Sequence, residues 1–202
     1  MSSNIIEIGI IGDTPTGKTS LINYYIGLGF TDNTNTKPLG IDFCIKKIKF
    51  RTKEYILKIY DTAGQENYHS LALNIFKKCR GLILVYSIDN KNSFDNVKEK
   101  WIKDIDDYLV SKIPIILVGN KKDLEKERII SEKEGLEIAK QKNYLFYETS
   151  AKTGENVNQI FQCLFEQIIN VENIKKEDNN NNNKDDGKEN NKIKKGKKCI
   201  IF

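Results

Sequence analysis

The stretch with the most chemistry in it is Gly12-Asp13-Thr14-Pro15-Thr16-Gly17-Lys18-Thr19. It fits G-x-x-x-x-G-K-[ST], the pattern of a loop that wraps phosphate in backbone N–H groups. Lys18 is then a point charge for β- and γ-phosphates, and the Thr19 hydroxyl a ligand for Mg²⁺. Taken alone, the pattern also suits a glycine-containing loop in an ordinary α/β domain. Asp61-Thr62-Ala63-Gly64-Gln65 offers a second set of groups. An acid such as Asp61 at a strand end can hold Mg²⁺ through water, Gly64 lets a backbone N–H approach a terminal phosphate, and Gln65 can orient an attacking water. A plain turn is the other reading. Asn120-Lys121-Lys122-Asp123 is the third set. The Asp123 carboxylate suits guanine, whose N1–H and N2 amino group are adjacent donors; adenine would leave it desolvated and unpaired. Ser150-Ala151-Lys152 is the fourth, able to turn a backbone N–H toward the guanine O6.

These groups need elements to bring them together. The run from Ile5 to Ile11 is apolar and β-branched, as expected of a buried parallel strand, and Ser20 to Ile26 can open a helix. A strand, a tight loop and a helix N-terminus converge backbone donors and the helix dipole on one point. Asp42–Phe50 and Tyr55–Tyr60 read as a hairpin with its turn at Arg51–Glu54, and Leu71–Lys78 as a short, irregular helix. Gly81–Ile88 and Pro114–Gly119 read as buried strands and Tyr144–Glu148 as the last one. Ser93 is the expected cap of a helix to Leu109, with Phe94, Val97, Trp101, Ile105 and Tyr108 on one face. Ser131 and Glu134 form a capping box for a helix to Lys142. Val157–Val171 is amphipathic, with Ile160, Phe161, Leu164, Phe165 and Ile168 inward. Strands alternating with helices after one hairpin predict a doubly wound α/β fold. Its sheet has six strands, mostly parallel with one antiparallel hairpin strand, and helices on both faces. Ligands of such sheets sit outside the carboxyl ends of the strands, where all four polar motifs fall.

The bulk numbers bound the rest. The 202 residues give one domain, expected over 1–172, and a tail over 173–202. Lys and Arg number 33 against 28 acids, a net charge of +5. Nine Lys and six acids lie between Val171 and Phe202, so that stretch holds +3 and the body only +2. A body so balanced is no nucleic-acid surface. Cys44, Cys79 and Cys163 lie in strand or helix patterns and read as small core hydrophobes. No C-x-x-C pair, export signal or apolar run of membrane-spanning length is present in the sequence, which points to a reducing cytosol. Asp178–Asn191, nearly all Asn, Asp and Lys, is expected to be a disordered linker.

Taken in this order, each at a strand end, the four motifs resemble the nucleotide-binding motifs of the small GTPases of the Ras superfamily. The resemblance covers about Ile5 to Val171 and is strongest to the Rab family. Leu39-Gly40-Ile41-Asp42-Phe43 is similar to the Rab I-G-V-D-F segment, Asp61–Glu66 reads D-T-A-G-Q-E, and Leu84-Val85-Tyr86 is similar to a Rab strand. Asn67-Tyr68-His69-Ser70 lacks the arginines usual there. The resemblance implies a switch that binds GTP and GDP with Mg²⁺, hydrolyses GTP slowly through Gln65, and engages effectors when GTP is bound. It implies that Asn120 braces the loops, that the Lys121 stem covers the base, and that Phe30 packs on the guanine edge. An exchange factor, a GTPase-activating protein, a dissociation inhibitor and effectors are the implied partners of a monomer. His69, the one histidine, reads as a surface contact.

Two residues depart from the family pattern. Pro38 stands where a Thr usually grips Mg²⁺ and the γ-phosphate, with Thr36 two residues earlier as a possible substitute. Pro15 replaces a Gly and lacks an N–H. They motivate a rival reading, a guanine-nucleotide-binding adaptor deficient in hydrolysis. A P-loop kinase or ATPase is a further rival, opposed by the guanine motifs. At the end of the chain, Cys199-Ile200-Ile201-Phe202 fits C-a-a-X, whose terminal Phe favours geranylgeranyl. Lys192, Lys194, Lys195, Lys197 and Lys198 supply the polybasic second signal, placing the protein on the cytoplasmic face of a membrane with a cytosolic pool.

Overall fold

The computed structural model describes residues 4–30, 42–62, 77–109 and 111–182. Six strands form one sheet: β1 (Asn4–Ile11), β2 (Asp42–Phe50), β3 (Lys53–Asp61), β4 (Gly81–Ser87), β5 (Ile115–Asn120) and β6 (Leu145–Glu148). Their order is β2-β3-β1-β4-β5-β6. Only the β2–β3 pair is antiparallel; β1 runs parallel to both β3 and β4, as β5 does to β4 and β6. The sheet claims Lys53 and Glu54, leaving Arg51 and Thr52 as the turn, with Arg51 at φ 54°. The helices are α1 (Lys18–Ile26), α2 (Lys91–Asn96), α3 (Ile102–Tyr108), α4 (Glu132–Lys142) and α5 (Val157–Asn182).

Side chains alternate along the strands, so a central strand such as β4 feeds two cores. On β4, Ile83 and Val85 face one side, where Leu21 of α1 and Phe161, Leu164 and Phe165 of α5 close over them. Leu82, Leu84 and Tyr86 face the other, beneath Phe94, Val97, Trp101, Ile105 and Ile138. Cys79 is buried in the second core, while Cys44 and Cys163 pack half-buried against the first.

Several boundaries differ from those read in the sequence. Asn90, not Ser93, caps α2: its side chain accepts from the Ser93 N–H at 3.0 Å. Ser93 sits at the third helical position, its hydroxyl donating to the Asn90 carbonyl at 2.8 Å and accepting from the Ser87 N–H at 3.1 Å. The helix is also interrupted by a π-turn over Val97–Trp101. A π-turn adds a residue to the repeat, so Ile102 and Ile105 follow Trp101 into the core and Tyr108 is left exposed. Ser131 and Glu134 do form the capping box of α4. The last helix passes Val171 and reaches Asn182, five residues into the Asn-rich stretch. A helix already nucleated propagates through poor formers at small cost per residue. The chain divides into two units, 1–169 and 170–202, and α5 runs through the boundary.

Candidate functional site

The loop between β1 and α1 is built on two left-handed glycines. Gly12 has φ 135°, and a Cβ there would lie 2.0 Å from the Val85 carbonyl oxygen. Gly17 caps α1 with φ 89°, and a Cβ there would lie 2.4 Å from the Asn120 amide nitrogen. No other residue type fits either place without moving the sheet or Asn120. Between them, Thr16 is 1% exposed; its backbone N–H and hydroxyl donate to the Asp13 carbonyl at 3.1 and 2.8 Å. Lys18 is buried, and its ammonium donates to the Gly12 and Asp13 carbonyls at 2.7 and 2.9 Å. A buried ammonium fixed to the rim of a loop at a helix N-terminus is the arrangement that draws in phosphate. Thr14 and Pro15 are exposed at the loop's tip.

Thr19, in the first turn of α1, donates its hydroxyl to Asp61 Oδ2 at 2.6 Å, joining α1 to the carboxyl end of β3. Thr62 anchors that end by donating to the Ile10 carbonyl at 2.9 Å. Thr19 and Asp61 are hard oxygen donors. Mg²⁺ takes one or two protein oxygens, the rest of its shell being phosphate and water, and this pair fits it. No cluster of three or more His, Cys, Asp or Glu able to hold a metal by itself exists among the described residues.

Asn120, at the end of β5 and 1% exposed, binds the loops together. Its amide N–H donates to the Thr16 carbonyl at 2.8 Å, and its Oδ1 accepts from the Thr149 hydroxyl at 3.0 Å and the Ala151 N–H at 3.3 Å. Lys121 is left-handed at φ 68°, its ammonium 3.5 Å from Asp89. Asp123 accepts from the Ser150 hydroxyl at 2.6 Å. Ser150 is buried, and its Oγ accepts from the Thr153 N–H at 3.1 Å, holding the turn through Ala151 and exposed Lys152. Phe30 is exposed. Thus Gly12, Asp13, Thr16, Gly17, Lys18, Thr19, Asp61, Asn120, Asp123, Ser150 and Ala151 meet at the strands' carboxyl ends. Gly64, Gln65, Pro38, Thr36, His69, Cys199 and residues 71–76 of the helix expected over Leu71–Lys78 lie outside the described residues, while Lys77 and Lys78 are helical.

Two features escaped the sequence reading. Arg128 donates through both outer nitrogens to Glu148, at 2.6 and 2.8 Å, and to the exposed Glu125 through Nε and Nη2. Glu148 is buried and immediately precedes Thr149, so this pair joins the segment that follows Asp123 to the end of β6, two residues before Ser150. Hydrogen bonding to Glu148 and then Glu125 raises the Arg128 pKa further still, and the same contact lowers that of Glu125. An acid closing an apolar strand signals a partner cation, although nothing local says which. The second is the Asp13 carboxylate, which turns away from the loop toward Asn96 and Trp101.

A mostly parallel six-stranded sheet with a glycine-built loop between its β1 strand and the first helix is the fold of a P-loop GTPase domain. Comparison with known proteins narrows this. The model of the Ras family matches residues 7–170. Ras-related protein Rab-1 of Theileria parva is 40% identical over 161 residues, 78% of this chain and 71% of that protein. Ras-related protein RABC2b of Arabidopsis thaliana is 41% identical over 172 residues, 85% and 83% of the two chains. Ras-related protein Rab-10 of Caenorhabditis elegans is 36% identical over 165 residues, 82% and 81%. The chain belongs to the Ras family of small GTPases and is Rab-like. Membership implies guanine nucleotide and Mg²⁺ binding, GTPase activity, and regulators and effectors in general.

Proposed function

We propose that this chain is a GTP/GDP switch acting on membranes in vesicle trafficking, with slow hydrolysis of its own. The observation that carries the reading is Asn120. One buried side chain is bonded to the phosphate loop through Thr16 and to the Thr149–Ala151 turn. Occupancy at the base end is therefore mechanically tied to the phosphate end.

In this reading Lys18 and the loop amides hold the phosphates, Asp123 accepts from guanine, and the Ala151 turn meets O6. Thr19 and Asp61 hold Mg²⁺, which when bound neutralises phosphate charge. Gln65 orients water, and Phe30 and Lys121 flank the base. The two loop carbonyls that accept from the Lys18 ammonium fix its side chain at the loop's rim. Geranylgeranyl on Cys199, with the five nearby Lys, supplies the anchor. Among the described residues no helix is long and apolar enough to cross a membrane.

The test is nucleotide analysis of the purified protein followed by single-turnover GTP hydrolysis. Bound GDP or GTP with slow turnover supports the switch. Bound nucleotide with no turnover supports the adaptor instead. Pro38→Thr should speed turnover, and Thr36→Ala should do little. The opposite pattern makes Thr36 the Mg²⁺ ligand.

A further inference from the structure

Asp13 faces two ways. Its carbonyl points into the phosphate loop, accepting from Lys18 Nζ at 2.9 Å and from the Thr16 N–H and hydroxyl. Its carboxylate points out, with Oδ1 accepting from the Trp101 indole N–H at 2.7 Å and Oδ2 from the Asn96 amide at 2.5 Å. Both donors come from the interrupted helix: Asn96 ends α2, and Trp101 ends the π-turn. Trp101 is the one tryptophan of the chain, 4% exposed, and packs in the second core with the Lys100 ammonium 4.8 Å from its ring centroid.

A carboxylate in a phosphate loop is a liability, because a like charge nearby opposes the ligand. Two donors holding it outward remove that opposition and fix the Asp13 backbone. A burial requirement alone would be met by Phe at position 101; the indole N–H adds a directed bond. The π-turn belongs to the same design, since π-turns re-aim side chains and gather at functional sites. The loop is therefore clamped at both ends, at Thr16 by Asn120 and at Asp13 by Asn96 and Trp101.

We propose that Asn96 and Trp101 are positioning residues for the nucleotide phosphates, acting through the Asp13 carboxylate. This rests on the nucleotide-binding reading above. The clamp sets the phosphate end and leaves the base end to Asn120, Asp123 and Ser150, so its loss should be felt by the β-phosphate and not by guanine.

The experiment measures GDP and GMP affinity of the full chain by competition with a fluorescent GDP, for wild type, Trp101→Phe and Asn96→Ala. Losing a hydrogen bond to a charged group predicts about tenfold or more weaker GDP binding in Trp101→Phe, with GMP changed less than about threefold. Asn96→Ala should shift the same ratio in the same direction, and it decides the matter if Trp101→Phe does not fold. The single indole N–H resonance should move when GDP is removed from wild type. Equal loss of GDP and GMP in both variants, or unchanged GDP affinity, overturns the proposal. Wild-type protein that binds no GDP sinks the nucleotide reading itself.

Discussion

Arg128→Met removes the cation that faces Glu148 while keeping the aliphatic stem. Glu148 has a side chain 3% exposed, so the variant leaves a buried carboxylate without its hydrogen-bonded cation. Breaking a buried pair by removing one partner costs about 3–5 kcal/mol. Arg128 retains 17% exposure, so water reaches that edge and reduces the cost to about 2–4 kcal/mol. The lost contact to Glu125, 66% exposed, adds little because water screens it. For a domain of this size the total corresponds to a fall in Tm of about 5–15 °C. The assay is thermal unfolding followed by circular dichroism at a fixed, saturating GDP concentration, because bound ligand itself raises Tm. Adding Glu148→Gln to Arg128→Met removes the stranded charge and should recover about half of the loss. A single variant within about 0.5 kcal/mol of wild type would falsify the reasoning. So would a double variant no better than the single one.

Asp123→Ala should abolish GTP binding, because guanine then has no acceptor for its paired donors; competition by excess ATP in wild type should be nil, and equal competition by ATP would refute the base assignment. Cys199→Ser should leave a tagged protein in the cytosol, the remaining Lys giving only salt-sensitive attachment; membrane retention after a high-salt wash points to another anchor. The Ser131 hydroxyl, and then its backbone N–H, hold the Glu134 carboxyl below its ordinary 4.5. A depressed carboxyl contributes stability that is present above 4.5 and lost as pH falls beneath it. Amide protection in α4, taken relative to the unfolded chain at the same pH, should therefore fall below that pH in wild type, and Glu134→Gln should remove this dependence.

The parts of the fold that were legible in the sequence are those specified locally. The stretch 82–85 is apolar on both faces, and only a central strand tolerates that. The phosphate loop needs two glycines, and the sequence prints them at the right spacing. The misses have a shared cause, competition between local signals of similar strength. Ser93 is as good a cap as Asn90 on propensity, and only the path of the chain after β4 decides between them. The π-turn leaves no mark on a pattern that reads equally well with a 3.6 repeat up to Trp101; its trace is Tyr108, pushed out to solvent. Arg128 and Glu148 are twenty residues apart and meet only once β5, α4 and β6 are assembled, so no window of sequence contains the pair.

The central place of β1 has a consequence for synthesis. Its neighbours are β3 and β4, so Ile10 must find Asp61 on one side and Leu84's strand, at Ile83, on the other. The first of the described strands to be made is thus enclosed on both sides only after β4 has followed. At ribosomal speeds of about 5–20 residues per second, β1 waits roughly 4–15 s for β4 to be made. Until β3 is made Ile6, Ile8, Ile10 and Ile11, all buried at the end, have no strand to pair with, and until β4 is made one edge of β1 stays open. An unpaired β-branched strand is an aggregation template. The nascent chain should therefore be a chaperone client until about residue 87 has emerged, and truncations that end before β4 should be insoluble where the full chain is not.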